Sequence, residues 1–485
     1  MIGANFNFGE KIQPKVFFNV GACLDIPSSS LELGAKGETI SNGGLGAIAG
    51  VVGAGNNFKT TILLYLLMSS LAKVLESKIH TQLMIYDTEV NTSIDRIEEL
   101  ASLFPAIGHH AVLREDAVIV IVDKTTISGN EWAEKLFEYM EEKVKDKKIQ
   151  IEYPCLIDPY TKKPRVMPIP TFVCIDSYTG LETASVFEML SGDLDSKDTN
   201  TYAMKQGQFK TKFLSQLPAR ATPSNSFIGM TAHVGGKVEI AAKPWEVASK
   251  PLQHLQGGDS LKGVGSNFTF YTNIAFQAKD ASAFYNQGTK GPEYPRDPND
   301  VLKADLNKVQ MVVLRNKNGL SGVIIELLVS QDQGVLPTLT EFHNIKSFKV
   351  PGQLAYGISG NDRSYSLDLY PEVSLSRTTV RSKIDSDPLL RRAINITSEM
   401  LQLSMFHSHI IKSEIWCTPL ELYEDIKKLG YDWNILLNTR GYWLINQYDK
   451  DATPYLHTVD LLKMRKGLYH PWWYKKSDLH PLDKQ

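Results

Sequence analysis

Cysteine, net charge and long apolar runs are all scarce in this chain. Its four cysteines, Cys23, Cys155, Cys174 and Cys417, are scattered over 485 residues with no C-x-x-C spacing. That argues against a disulfide framework or a structural zinc site and suits a reducing cytoplasm. A net charge of -2 gives no global positive field, so any contact with DNA or RNA must come from local patches. No stretch reaches the ~18 apolar residues of a membrane span; the longest apolar run is "ILLYLLM", from Ile62. The opening "MIGANFNFGEKIQPK" lacks the basic-then-apolar pattern of a targeting signal. The expectation is a cytoplasmic protein that does not engage a membrane.

What the chain does contain is an α/β pattern. Hydrophobic and charged contents of 42% and 22% are those of an ordinary globular protein. From Leu45, short apolar runs alternate with helical stretches. "GLGAIAGVVGAG", "TQLMIYDTE", "AVIVIVDKT", "PTFVCIDSYTGL" and "NSFIGMTAHV" read as strands. "TTILLYLLMSSLAKVLES" and the stretch from Asn130 to Lys145 read as helices. Continuous apolar runs separated by helices predict a mostly parallel twisted sheet buried on both faces. The polar residues gather at the carboxyl ends of the strands, where open α/β sheets bind ligands. Residues 147–170 hold five prolines and read as an inserted hairpin or loop. "KVQMVVLRNKNGLSGVIIELLVS" reads as a hairpin around the turn pair Asn318-Gly319. Five of the seven tryptophans lie beyond residue 350, a composition shift that marks a boundary. The predicted organisation is an N-terminal segment over 1–40, an α/β core over 41–345, and a mostly helical α+β region over 346–485.

The chemistry concentrates in "GVVGAGNNFKTT", Gly50 to Thr61. This is close to the phosphate-loop pattern G-x-x-x-x-G-K-[ST], with Gly53, Lys59 and Thr60 in register and Phe58 in place of the second glycine. Such a loop needs backbone N–H groups converging on phosphates, a lysine reaching the terminal ones, and a hydroxyl for Mg²⁺. Gly53, Ala54 and Gly55 permit a tight backbone, Asn56 and Asn57 tolerate left-handed conformations, and Lys59, Thr60 and Thr61 open the following helix. A side chain at Phe58 is permitted if its φ is negative. The same residues also suit a helix-capping turn with a solvated lysine. Two acids strengthen the nucleotide reading: Asp176 ends the buried run "TFVCI", as a Mg²⁺-holding acid does, and Glu89 in "IYDTEV" stands where a residue orienting the attacking water belongs.

This order of parts resembles the RecA-type ATPases, and among them the phage UvsX-type recombinases. "GAGNNFKT" is similar to the UvsX form of the loop, which also carries Phe before the lysine. "YDTE" is similar to the D-x-E segment whose glutamate activates water, and "FVCIDS" to the strand whose acid holds Mg²⁺. The resemblance therefore implies ATP and Mg²⁺ as ligands, a catalytic role for Lys59 and Glu89, and metal binding by Thr60 and Asp176. "IGMTAHV" resembles the strand ending in the γ-phosphate sensor, which gives that role to His233. "LRNKNGLSG" falls where the family places basic residues that reach a neighbour's nucleotide, implicating Arg315 and Lys317. It is also similar to a segment of DnaB-type helicases. The resemblance covers about residues 40–345 and implies a RecA-like core, a homo-oligomer with ATP at its subunit interfaces, single-stranded DNA as partner, and a phage origin. The chain departs from the family in the short segment preceding the core, and in the long spacing from Glu89 to Asp176 that the 147–170 insertion accounts for.

Two stretches are DNA-binding candidates. Between 197 and 220, Lys197, Lys205, Lys210, Lys212 and Arg220 oppose Asp198 alone, and Phe209 and Phe213 interleave with the lysines. Charge with stacking surface suits single strands; an amphipathic helix with its phenylalanines in the core fits equally. The second, "GGKVEIAAKPWEVASKPLQHLQGGDSLKG", carries Lys237, Lys243, Lys250, Lys262 and Trp245. The alternatives to a recombinase are a ring-forming replicative helicase on the same core, and a nucleotide-binding structural or regulatory protein with little hydrolysis.

Overall fold

The computed structural model describes residues 15–183, 196–236, 253–255, 266–297, 305–475 and 479. The chain begins with a small hairpin, β1 (Ser30–Leu33) and β2 (Thr39–Asn42), and then enters β3 (Ile48–Gly53) and helix α1 (Lys59–Glu76). There follow β4 (Leu83–Asp87), α2 (Ile94–Ser102), β5 (Ile119–Asp123) and α3 (Gly129–Lys145). The proline-rich stretch forms the antiparallel hairpin β6 (Gln150–Ile157) and β7 (Pro164–Pro168). Next come β8 (Thr171–Asp176), α4 (Ser196–Ala221), β9 (Ser226–Gly236), β10 (Gln253–Leu255) and α5 (Ser266–Tyr271). Four more strands complete the large sheet: β11 (Ile274–Ala283), β12 (Leu306–Asn316), β13 (Ile324–Ser330) and β14 (Gly334–Val335).

The strands lie in the order β14-β13-β12-β11-β3-β9-β8-β4-β5, with β10 paired to the end of β9. From β11 to β5 every neighbour is parallel. From β11 to β14 every neighbour is antiparallel. The protein is thus a mixed α/β structure built on a large, mostly parallel sheet.

Both faces of the sheet are covered. Val51, Ile85 and Cys174 face the side of α1, where Ile62, Leu63 and Leu67 pack. The alternate residues Val52, Tyr86 and Ile175 face Trp132 and Leu136 of α3 and Phe213 and Leu217 of α4. Successive strand residues point to opposite faces, so burial on both makes each strand apolar throughout. Helix α1 is buried nearly all round because residues beyond the sheet also reach it. Tyr65 Oη donates to the Val20 carbonyl and Tyr442 Oη to Glu76 Oε2 at 3.0 Å; just past the helix the Ile445 N–H donates to Ser77 Oγ at 3.1 Å, and in the same core Phe18 stacks on Trp443 at 5.1 Å between ring centroids.

The predicted turn pair Asn318-Gly319 does not make a two-residue hairpin. The strands stop at Asn316 and resume at Ile324, and the left-handed residue is Gly322, at φ +82°. Gly319 serves a different need: a Cβ there would stand 1.9 Å from the Pro27 carbonyl oxygen. The loop is held against the N-terminal segment, where Asn316 Nδ2 donates to the same carbonyl at 2.9 Å.

Beyond the sheet, helix α6 (Pro337–Ser347) leads into a three-stranded sheet over Ile358–Leu375, then helices α7 (Val380–Ser386) and α8 (Pro388–Phe406), and shorter helices to Met464. The aromatic tail folds back: Trp473 Nε1 donates to the Tyr455 carbonyl at 3.0 Å, and the buried Tyr474 hydroxyl accepts the Asp432 N–H at 3.0 Å. A buried ion pair ties this region to the sheet. Arg381 of α7 donates to both oxygens of Asp305, just before β12, at 2.9 and 2.7 Å. Removing one partner strands the other charge in the interior, so Asp305→Ala is expected to cost about 3–5 kcal/mol in denaturant unfolding. Burial pushes the Asp305 carboxyl up, but the Arg381 bonds and charge outweigh it and hold it below its ordinary value. Its folded value lies below the unfolded value of about 3.9. The contribution is therefore present above that pH and is lost as pH falls through the folded value.

No helix among the described residues is long and apolar enough to cross a membrane.

Candidate functional site

Strand register brings the candidate residues to one edge. Gly53, the last residue of β3, lies beside His233 of β9. Ile175 of β8 lies beside Met230, and Asp176 beside Asp87 of β4. The carboxyl ends of four adjacent parallel strands therefore present Gly53, His233, Asp176 and Asp87 side by side, with Thr231 two residues before His233 on the same face of β9.

The loop from Ala54 to Phe58 joins β3 to α1. Gly53 is required by close approach, since a Cβ would stand 2.8 Å from the Ala278 carbonyl oxygen and 3.3 Å from Lys59 Cγ. Asn56 is left-handed at φ +60°, and Asn57 Nδ2 donates to the Ala278 carbonyl at 3.2 Å. Phe58 departs from expectation: its φ is +57°, not negative. The chain keeps the conformation that a glycine normally supplies, and the ring packs against the core at the α1 side of the sheet. Burial of the ring offsets the left-handed cost, on the order of 1 kcal/mol for an L-residue. Replacement by Gly removes the packing and the strain together, whereas Ala removes only the packing. Phe58→Gly is thus expected to unfold at higher denaturant than Phe58→Ala, by about 1 kcal/mol, with both below the parent.

No side chain caps the start of α1, so the first N–H groups and the positive end of the helix are left for an anion. The buried Lys59 folds back over the loop and donates from Nζ to the Ala54 carbonyl at 2.7 Å. Burial lowers its pKa, while the charges of Asp176 and Glu89 oppose that shift, so both carboxylates act on this ammonium.

Asp176 joins two hydroxyls. Thr60 Oγ1 donates to its Oδ2 at 2.8 Å, and Thr231 Oγ1 donates to its Oδ1. Burial raises its pKa, and nearby Glu89 and Asp87 add to the rise against the two hydroxyl bonds. A cation at this carboxylate would add positive charge that favours its ionised form. The donor set of one carboxylate and a helix-start hydroxyl suits Mg²⁺, which keeps most of its waters.

Glu89 stands on a turn shaped by Asp87. Asp87 Oδ1 accepts the N–H groups of Glu89 and Val90, both at 2.9 Å, and Oδ2 those of Asn91 and Thr92 at 2.9 and 2.7 Å. The Glu89 Oε1 lies 2.6 Å from His233 Nε2, and Oε2 accepts from Asn91 at 3.2 Å. Burial pushes the carboxyl up, but bonds from His233 and Ser177 outweigh it and hold it below its ordinary value. It is a solvent-reachable anion fixed next to the loop.

Lys59, Thr60, Asp176, Glu89 and His233 thus come together. Two contributors escaped the sequence reading. Thr231 shares the period-two face of His233, which is the signal that could have found it. Asp87 is the first acid of "YDTE" and sets the turn rather than facing a ligand.

Arg315 and Lys317 lie apart from this cluster in the same chain. Arg315 pairs with Ala275, which pairs with Gly50, three residues before Gly53, or about 10 Å along the strand. Its guanidinium sits 5.6 Å from the Phe270 ring centroid. Burial lowers the Lys317 pKa, and Lys15 and Arg315 lower it further.

The first DNA-binding candidate is an amphipathic helix, α4. Phe213 is buried against α3, so it is not a stacking platform. Lys210 is buried, donating to the Thr179 carbonyl at 2.7 Å, and Arg220 pairs with Glu141 at 3.1 Å. Lys205 and Lys212 are exposed; the side chain of Lys197 lies outside the described residues. Lys237, Lys243, Trp245, Lys250 and Lys262 of the second candidate also lie outside them.

The chain matches no protein-family model, and no curated protein matches it in sequence.

Proposed function

We propose that the chain is a nucleoside-triphosphate hydrolase of the phosphate-loop class. Within that class we infer an ATP-dependent recombinase of RecA type, a RecA-like core that assembles as a homo-oligomer on single-stranded DNA. The observation that carries the first step is the convergence of Lys59, Thr60, Asp176 and Glu89 at the carboxyl ends of β3, β8 and β4. The second step rests on the sequence resemblance and on the His233–Glu89 contact.

In this reading the loop N–H groups and the start of α1 bind the phosphates, and Lys59 exchanges the Ala54 carbonyl for the terminal phosphate oxygens. Thr60 and Asp176 are the residues that would hold Mg²⁺, which when bound polarises the phosphate oxygens and offsets their charge. Glu89, ionised at neutral pH, orients the attacking water and accepts its proton. Thr231 keeps Asp176 facing the loop. His233 ties Glu89 to β9, the strand that leads toward the second DNA-binding candidate. Arg315 sits too far along β12 to serve its own loop, and it and Lys317, which follows the strand, are assigned to a neighbouring subunit's nucleotide.

Hydrolysis of ATP is measured with and without single-stranded DNA, and the same samples are imaged by negative stain. Expected are DNA-stimulated turnover and open filaments on DNA. Turnover indifferent to DNA sinks the recombinase reading and leaves a nucleotide-binding structural or regulatory protein. Closed hexamers with DNA stimulation transfer it to a replicative helicase.

A further inference from the structure

A cavity lies at the opposite end of the same sheet. It has a volume of about 300 Å³ and opens between α3 and the amino-terminal ends of β4 and β8. That is roughly twice the apolar cavity that holds a benzene and falls at the small end of ligand pockets. Its lining on β8 runs from Thr171 to Val173, three residues before Asp176, so about 10 Å of strand separates it from the nucleotide site.

Most of the wall is apolar, with Met84, Leu136, Ile149, Ile169 and Val173, while His80, Thr81, Gln82 and Tyr139 supply polar groups. One cation stands among them. Lys143 of α3 is 3% exposed, and its ammonium donates to Thr171 Oγ1 at 2.7 Å. It forms no ion pair among the described residues, and no carboxylate lines the cavity. An ammonium offers three donors, and a buried cation without a counter-ion is costly. Burial alone acts on its pKa, lowering it to about 7. Among the described residues no acidic side chain pairs with it; the ammonium lies 5.9 Å from the Tyr139 ring centroid.

A largely apolar cavity with one buried lysine and no carboxylate in its lining is complementary to a ligand of the reverse pattern. We propose that this cavity binds a small apolar molecule bearing one carboxylate, its chain among Met84, Leu136 and Ile169 and its charge on Lys143 Nζ. The ligand's anion would supply the missing partner, and its hydrocarbon would fill space that the protein leaves open.

Octanoate and octan-1-ol, matched in length, serve as probes in calorimetric titration of the full chain. A charge-assisted bond to an ammonium is expected to make octanoate bind about tenfold more tightly than the alcohol. Lys143→Met keeps the aliphatic stem and removes the charge. It is expected to weaken octanoate by about tenfold while octan-1-ol changes by less than about twofold. In the parent protein, where folding of the variant is not at issue, octanoate is expected to shield Lys143 from reductive methylation, read by peptide mass spectrometry. Equal affinity for acid and alcohol, no binding of either, or unprotected Lys143 in saturating octanoate overturns the proposal.

Discussion

Glu89→Gln is expected to lower ATP turnover by about a thousandfold, within the range for loss of a general base, while ATP still binds. Glutamine is isosteric and keeps a partner for His233 Nε2, now 2.6 Å from the carboxylate. It cannot accept a proton from water. The turn that presents it is held by Asp87 through four backbone N–H groups and does not depend on the Glu89 charge. Binding and chemistry therefore separate. Nucleotide affinity, measured with a fluorescent ATP analogue, is expected to stay within about threefold of the parent, as suits loss of a group that acts only in the transition state. The depressed pKa of Glu89 adds a pH signature. The base is ionised throughout neutral pH, so this group limits turnover only below the ordinary carboxylate range, near about 4.3. A variant that hydrolyses ATP at the parent rate removes Glu89 from the mechanism.

Lys59→Ala is expected to abolish turnover and to weaken nucleotide binding as well. Loss of one preorganised charge on developing negative oxygens costs on the order of a hundred- to a thousandfold in rate. Lys59 also contributes to ground-state binding, since its ammonium already lies across the loop on the Ala54 carbonyl. The fold is expected to survive. The lysine is a buried cation whose charged form burial disfavours, so its removal sheds a desolvation cost along with one hydrogen bond. Thermal unfolding without nucleotide is therefore expected to change little, whereas the upward shift that ATP gives the parent disappears. Unchanged turnover, or an unchanged ATP-induced shift, rules out this loop as the phosphate site. Together the two substitutions distinguish a group needed for binding and chemistry from one needed for chemistry alone.

Phe58 shows how an irregular motif is accommodated. The loop keeps the left-handed backbone of a glycine, so the N–H groups keep their direction. The packing of the aromatic ring supplies the compensation. The unusual residue changes how the loop is held more than where its backbone points.

Much of the sheet was legible in the order of residues. A strand buried on both faces must be apolar at every position, and β3, β8 and β9 announce themselves as "IAGVVG", "TFVCID" and "SFIGMTAHV". Breaks in those runs mark the strand ends, which is why Asp176, Glu89 and His233 could be picked out one by one. Only the tertiary structure decided what lies beside what. Strand order places Gly53 next to His233 and Asp87 next to Asp176, and no local propensity encodes which strands become neighbours. Packing turned Phe213 inward, as the amphipathic reading of 197–220 allowed, but it turned Lys210 inward as well and left Lys143 with no ion pair among the described residues. The pairing of Asp305 with Arg381, and of Phe18 with Trp443, joins residues distant along the chain. Sequence marks the apolar face of each element, because periodicity is a local property. Which burials meet is settled by the packing of whole elements, since that is where the interaction energy lies.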